Sequence, residues 1–233
     1  MNYLLEVCLV AITLTAGITP IAAQPPQAMQ KGISVELALT SNAAPMPGAD
    51  QEDASIVSVT ADGSVYFGLN PISPAALSEK VKSSLSDRTE KELYIKADAR
   101  TQYANVMSVL DAVRAAGVKA PNLLTAEQDS SEQGSLVPPK GLEVSVGPSL
   151  PSGSEAIVVQ VLNSGQQWPK LEINSEHVSW ATLQSTLRQL LQSRSEKVVL
   201  VKADGLLPFA YVVHAVDLCR STGAKVFLVT PGL

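Results

Sequence analysis

Aromatic residues are scarce in this chain, at 4% of 233 residues, with 2 Trp, 5 Tyr and 3 Phe. Its cores must therefore be aliphatic, built from Val, Leu, Ile and Ala. Cysteine is scarcer still. Cys8 lies in an apolar N-terminal run and Cys219 on the apolar face of an expected helix, so the two make neither a disulfide framework nor a thiolate metal site. Histidine is limited to His177, in a turn, and His214, on a helix, with no further ligand-type residue at metal spacing, which argues against a metal centre. No cluster of Lys and Arg occurs and the formal charge is −5, which argues against a nucleic-acid partner. A P-loop, G-x-S-x-G and G-x-G-x-x-G are all missing, and nothing reads as an enzyme active site or a cofactor site.

The apolar residues that are present begin at the N-terminus. Tyr3 to Ala23 is apolar except for Glu6 and some Thr, about the 20 residues a helix needs to cross a bilayer. The same residues 1–23 can be read as a signal segment cleaved after Ala23, although no Lys or Arg precedes Lys31. Either way the rest is exported. Residues 24–55, rich in Pro, Ala, Gln and Ser, read as a tether. Within it Gly32-Ile33-Ser34-Val35-Glu36-Leu37 alternates as a short strand would.

Residues 56–125 read as one small domain. Ile56–Val59 and Val65–Phe67 flank Asp62-Gly63, a hairpin signal. Ser73 caps a helix with Pro74 at its first position, and Leu77, Val81 and Leu85 line one face. Leu93-Tyr94-Ile95 is a strand, and Thr101 can cap the next helix. That helix carries the stripe Tyr103, Val106, Met107, Leu110 and Val113 and ends at Gly117, suited to a left-handed C′ position. Val118 to Leu124 is a last strand, so the order is ββαβαβ.

Residues 126–153 read as a linker with one short strand, Gly141 to Val146, which mirrors Gly32 to Leu37. The domain pattern then returns over residues 154–233. Lys96-Ala97-Asp98 reappears as Lys202-Ala203-Asp204, an offset of 202 − 96 = 106. At that offset Ser73 meets Ser179, Leu85 meets Leu191, Asp111 meets Asp217, Arg114 meets Arg220 and Gly117 meets Gly223. The chain holds an internal duplication, and its fold class is α+β: two tandem two-layer ββαβαβ domains after one N-terminal apolar helix.

Leu93-Tyr94-Ile95-Lys96-Ala97-Asp98, Tyr103-Ala104-Asn105-Val106-Met107 and Leu110-Asp111-Ala112-Val113-Arg114-Ala115-Ala116-Gly117-Val118 together resemble the exported domain of the ExbD/TolR family of biopolymer transport proteins. The second copy is a looser match, with Phe209 in the Tyr slot. Leu4-Leu5-Glu6-Val7-Cys8-Leu9-Val10 is similar to the start of the family's single transmembrane helix, with Glu6 where the family has a proton-carrying Asp. The resemblance implies an accessory subunit of a proton-motive-force-driven motor of the bacterial inner membrane, with the bulk of the chain in the periplasm. It implies dimerisation, an ExbB/TolQ-like channel partner and a TonB/TolA-like periplasmic partner. The alternative is an exported binding module without motor activity, soluble in the periplasm once the signal is cleaved.

The candidate residues each carry two readings. Glu6 is a proton carrier if its helix stays in the membrane, or an incidental acid in a cleaved signal. Asp98 and Asp204 can act in an acid/base pair with the preceding Lys, or simply accept backbone N–H bonds before a helix. Asp111/Arg114 and Asp217/Arg220, at i, i+3, form solvated ion pairs or contact the other domain. Trp168 and Trp180 flank the second hairpin and helix, where Trp180 reads as packing. The two domains are expected to pair within one chain, with sheet edges as the meeting points and the Gly32–Leu37 and Gly141–Val146 strands capping those edges.

Overall fold

The computed structural model describes residues 32–86, 92–127, 139–147 and 156–230. Glu6 and the rest of 1–23 lie outside them; among the described residues no helix is long and apolar enough to cross a membrane.

The first half runs β1 (Leu39–Thr40), β2 (Ala44–Pro45), a 3₁₀ turn over Pro47–Asp50, β3 (Ile56–Val59), β4 (Val65–Phe67), β5 (Asn70–Pro71), α1 (Pro74–Leu85), β6 (Tyr94–Ala97), α2 (Tyr103–Ala115) and β7 (Asn122–Glu127). The second runs β8 (Lys140–Glu143), β9 (Ser145–Gly147), β10 (Ile157–Leu162), β11 (Lys170–Ile173), β12 (Glu176–Val178), α3 (Leu183–Leu191), β13 (Val198–Ala203), α4 (Phe209–Arg220) and β14 (Lys225–Val229). Each half thus keeps the expected order with one short strand added after the hairpin. The fold is α+β with two mixed sheets. One has the order β2-β8-β7-β6-β3-β4-β5, with β1 beside β7, and the other β12-β11-β10-β13-β14-β9. In both, the first hairpin strand runs parallel to the strand carrying Lys-Ala-Asp, with Val59 opposite Ala97 and Val161 opposite Ala203.

Local chemistry explains most boundaries. Asp62 accepts from the Ser64 N–H and from the Thr60 hydroxyl at the hairpin turn, where Gly63 takes a left-handed φ of 87°. Ser73 Oγ accepts the Ala76 N–H, the expected cap. At the end of α2, Gly117 N–H donates to Arg114 C=O and Val118 N–H to Val113 C=O, the two bonds of a Schellman closure. Strand β7 starts at Asn122 rather than Val118, because residues 116–118 are engaged in that closure and Pro121 has no N–H to give a ladder.

Val57, Val59, Ile95, Ala97 and Leu123 face the helices and pack with Leu77, Val81, Val106, Leu110 and Val113. Successive strand residues point to opposite faces, so Ile56, Tyr94 and Leu124 lie behind the sheet. Met46, Ala49 and Ala54 cover them there. This adds a third layer to the first half, where two were expected, and residues 32–55 wrap the sheet where a loose tether was expected. Ala38, Thr40 and Ala49 are buried in doing so.

Candidate functional site

Each Lys-Ala-Asp motif ends a central strand and hands the chain to a loop and a helix. Asp98, only 3% exposed, accepts from Arg100 N–H at 3.0 Å, Arg100 Nε and Nη2 at 2.8 Å and Glu36 N–H at 3.1 Å. The Arg100 guanidinium, whose hydrogen bonds outweigh the opposing effect of burial, holds the Asp98 carboxyl down at about 2. Residues 36 and 37 run antiparallel to 98 and 99, with Ala99 N–H on Glu36 C=O at 2.7 Å. Asp98 therefore fastens the arm that leads into the first half. Asp204 is less buried and accepts from Leu206 N–H at 2.9 Å; Leu206 stands where the first copy has Arg100. The motif lysines differ too, with Lys96 buried and Lys202 exposed. In both copies the Asp takes a backbone N–H of its own loop.

The two loops meet. Tyr103 N–H donates to Leu207 C=O and Phe209 N–H to Thr101 C=O, both at 2.8 Å. Ala104 N–H donates to Gly205 C=O and Ala210 N–H to Ala99 C=O, both at 2.9 Å. Every partner in one bond is the repeat equivalent of a partner in the other, so the contact has two-fold pseudosymmetry. Gln102 bridges its own equivalent, Pro208. The rings of the equivalent residues Tyr103 and Phe209 stack beside it, with centroids 6.4 Å apart and planes 6° from parallel. The first amides of a helix have no partner within it, and neither α2 nor α4 has a side-chain cap. Loop carbonyls of the opposite copy supply the missing acceptors. Thr101 consequently does not cap α2, and its Oγ1 accepts from Asn105 Nδ2 at 3.2 Å instead. The expected pairing within one chain is present, but it runs through helix N-termini rather than sheet edges.

The edges are occupied by the arms. β1 lies parallel to β7 and touches α4, while β9 lies parallel to β14 and touches α2. Ser145–Gly147 thus caps an edge much as expected, whereas in the first copy the pairing falls on Leu39–Thr40, past Gly32–Leu37. Asp217, 3% exposed, accepts Ser41 N–H and Asn42 N–H at 3.0 Å and Asn42 Nδ2 at 3.1 Å. Arg220 donates to Glu143 C=O. Asp217 and Arg220 therefore hold the first arm and the connecting strand to the second copy. Asp111 and Arg114 do pair, at 3.3 Å, but with side chains only 8% and 24% exposed, not solvated.

A further group escaped sequence reading. Tyr211 and His214, one turn apart on α4, gather Trp168 and Trp180. Trp168 meets Tyr211 at 5.5 Å and Trp180 at 5.9 Å, and Trp180 stacks on His214 at 5.1 Å. The i, i+3 spacing of Tyr211 and His214 was the available signal. His177 sits apart, on β12.

A search of curated proteins finds no match to the chain. The model of the family described as Biopolymer transport protein ExbD/TolR matches residues 10–128 and again residues 129–231, its first match beginning beyond Glu6. With that one model fitting both halves of a two-fold repeat, the chain belongs to the ExbD/TolR family.

Proposed function

We propose that the chain is an accessory subunit of a proton-motive-force-driven transport motor of the bacterial cytoplasmic membrane. In this reading residues 1–23 stay in the membrane as a single helix beside an ExbB/TolQ-like channel subunit. Glu6 carries protons there, and the exported pair of domains, 56–125 and 154–233, couples to a TonB/TolA-like periplasmic protein. Family membership over both halves supports the role in biopolymer transport. The reciprocal bonding of the two loops supports the paired unit alone: one chain holds the pair of domains that single-copy relatives are expected to assemble from two. The work is binding and movement rather than chemistry on a substrate, in keeping with acids engaged in fastening arms and loops.

The length of the apolar run supports retention. N-terminal sequencing of the membrane fraction tests it; a mature chain beginning at Gln24 and free in the periplasm overturns the motor reading in favour of an exported binding module. Given retention, energy-dependent transport by cells relying on this chain should be abolished by Glu6→Ala and largely kept by Glu6→Asp, since only a titratable group can relay protons. Normal transport with Glu6→Ala removes the proton-carrier role.

A further inference from the structure

We propose that the chain works singly: one N-terminal segment, and with it one Glu6 carboxylate, serves the whole exported pair, where a pair built from two chains brings two. The proposal rests on the motor reading only for the role of Glu6; the number of chains follows from the exported residues.

The contact that would join two chains is used up within one. The amides of Tyr103, Ala104, Phe209 and Ala210 all find their acceptors on the other repeat of the same chain, and the Tyr103–Phe209 ring pair closes the axis between them. The connection binds to both repeats as well. β8 lies beside β7 in the first sheet and β9 beside β14 in the second, with only Val144, 1% exposed, between them. Val144 N–H donates to Pro121 C=O at 3.2 Å and Val146 N–H to Lys119 C=O at 2.9 Å. Exchange of repeats between two chains would make these same bonds and no more, while costing the freedom of a second chain.

The sheet edges offer a second chain little to pair with. The first sheet ends on β2 and β5, two residues each, which contain Pro45 and Pro71; proline has no N–H to give a ladder. The second ends on β9, whose Val146 N–H is already engaged, and on β12, three residues long with Glu176 and His177 exposed. Short edges carrying proline or charge are poor templates for strand pairing.

A single arm must then hold both repeats, and it does. Ala99 N–H on Glu36 C=O at 2.7 Å, Glu36 N–H on Asp98 at 3.1 Å and Thr40 Oγ1 on Thr125 Oγ1 at 2.8 Å fix it to the first. The three bonds from Ser41 and Asn42 to Asp217 fix it to the second. The arm's counterpart, Gly141 to Val146, is spent as the connection. Motion arriving through Gly32 is therefore applied to both repeats directly, without passing through the junction.

Two full-length chains carrying different tags, made together in one cell and cross-linked there, test the proposal. Purification by one tag should leave the other tag behind, and light scattering of the wild-type protein in detergent should give the mass of one chain. Recovery of the second tag, or a mass of two chains, overturns the proposal, whether the second chain docks on the exposed Trp168 face or exchanges repeats. Failure of the motor reading is seen separately, as a mature chain that begins at Gln24. In that case the same tags and the same mass measurement, applied to the periplasmic fraction, still decide the number of chains.

Discussion

Tyr103→Phe should stabilise this protein, against the usual direction of a substitution at a buried contact. Tyr103 is 0% exposed, and its hydroxyl has no hydrogen-bond partner among the described residues. Burial, reinforced by the Asp111 carboxylate, pushes its phenol far above the ordinary value, the mark of a site hostile to charge. An unpaired buried hydroxyl costs about 1–3 kcal/mol. The ring itself is useful, since it stacks on Phe209 at 6.4 Å and closes the axis between the copies. Phe keeps the ring and removes the penalty, making the pair chemically symmetric. The expected gain is about 1 kcal/mol, which raises the thermal midpoint by roughly 2–4 °C for a protein of this size. Thermal unfolding of the purified chain, followed by circular dichroism at 222 nm, measures it. The mirror substitution Phe209→Tyr adds a hydroxyl at a position 1% exposed and should lower the midpoint. A lower midpoint for Tyr103→Phe would refute the reasoning, because it would mean that the hydroxyl has a partner worth more than its burial costs.

Two further predictions concern the acids. Asp217→Ala removes the acceptor of three bonds from Ser41 and Asn42. It should cost about 2 kcal/mol, since the freed amides return to water, and limited proteolysis should then cut near residues 41–44; an unchanged digestion pattern rules out Asp217 as the arm's anchor. Asp98, with a carboxyl held below its usual range at about 2, contributes stability that is present above the unfolded value near 3.8 and is lost as pH falls through about 2. The midpoint difference between wild type and Asp98→Asn should be constant above pH ~4 and shrink between ~4 and ~2, weakening with salt because Arg100 is 64% exposed. A difference that persists unchanged to pH ~2 would separate the Asp98 contribution from its charge.

Much of the fold was legible because side chains announce it. Ser73, Asp62-Gly63, Gly117 and the matched stripes are local signals whose chemistry does not depend on the other copy. The junction was not legible, since its bonds join backbone amides of Tyr103, Ala104, Phe209 and Ala210 to backbone carbonyls, and any residue but proline could donate them. Thr101 misled for the same reason: a cap is needed only where no outside carbonyl arrives. The acids show the limit most clearly. Asp111/Arg114 and Asp217/Arg220 are identical in type and spacing, yet the first pair closes on itself and the second reaches the arm and the connecting strand. What differs is the chain that passes over them, which no local pattern encodes. Short pairings such as β1 and β2, two residues each, carry no periodicity to read, and the layer over Ile56 and Tyr94 hid in a stretch whose composition suggested a tether.

Joining the copies in one chain changes what their contact must do. A few backbone bonds and one ring pair would hold two separate chains weakly, because association has to offset lost translational and rotational freedom. Linkage turns that association into an intramolecular step with an effective concentration of about millimolar for a short flexible connection. Here the connection is more than a leash. Residues 140–143 add an antiparallel strand to the first sheet and residues 145–147 a parallel strand to the second. The halves therefore cannot part without breaking sheet pairing on at least one side. With pairing secured by connectivity, the second copy is released from keeping an identical surface. The changes fall where that release permits them: Leu206 in place of Arg100, and Trp180, Tyr211 and His214 in place of Pro74, Asn105 and Ser108. The reciprocal backbone bonds, indifferent to side-chain identity, persist through that divergence.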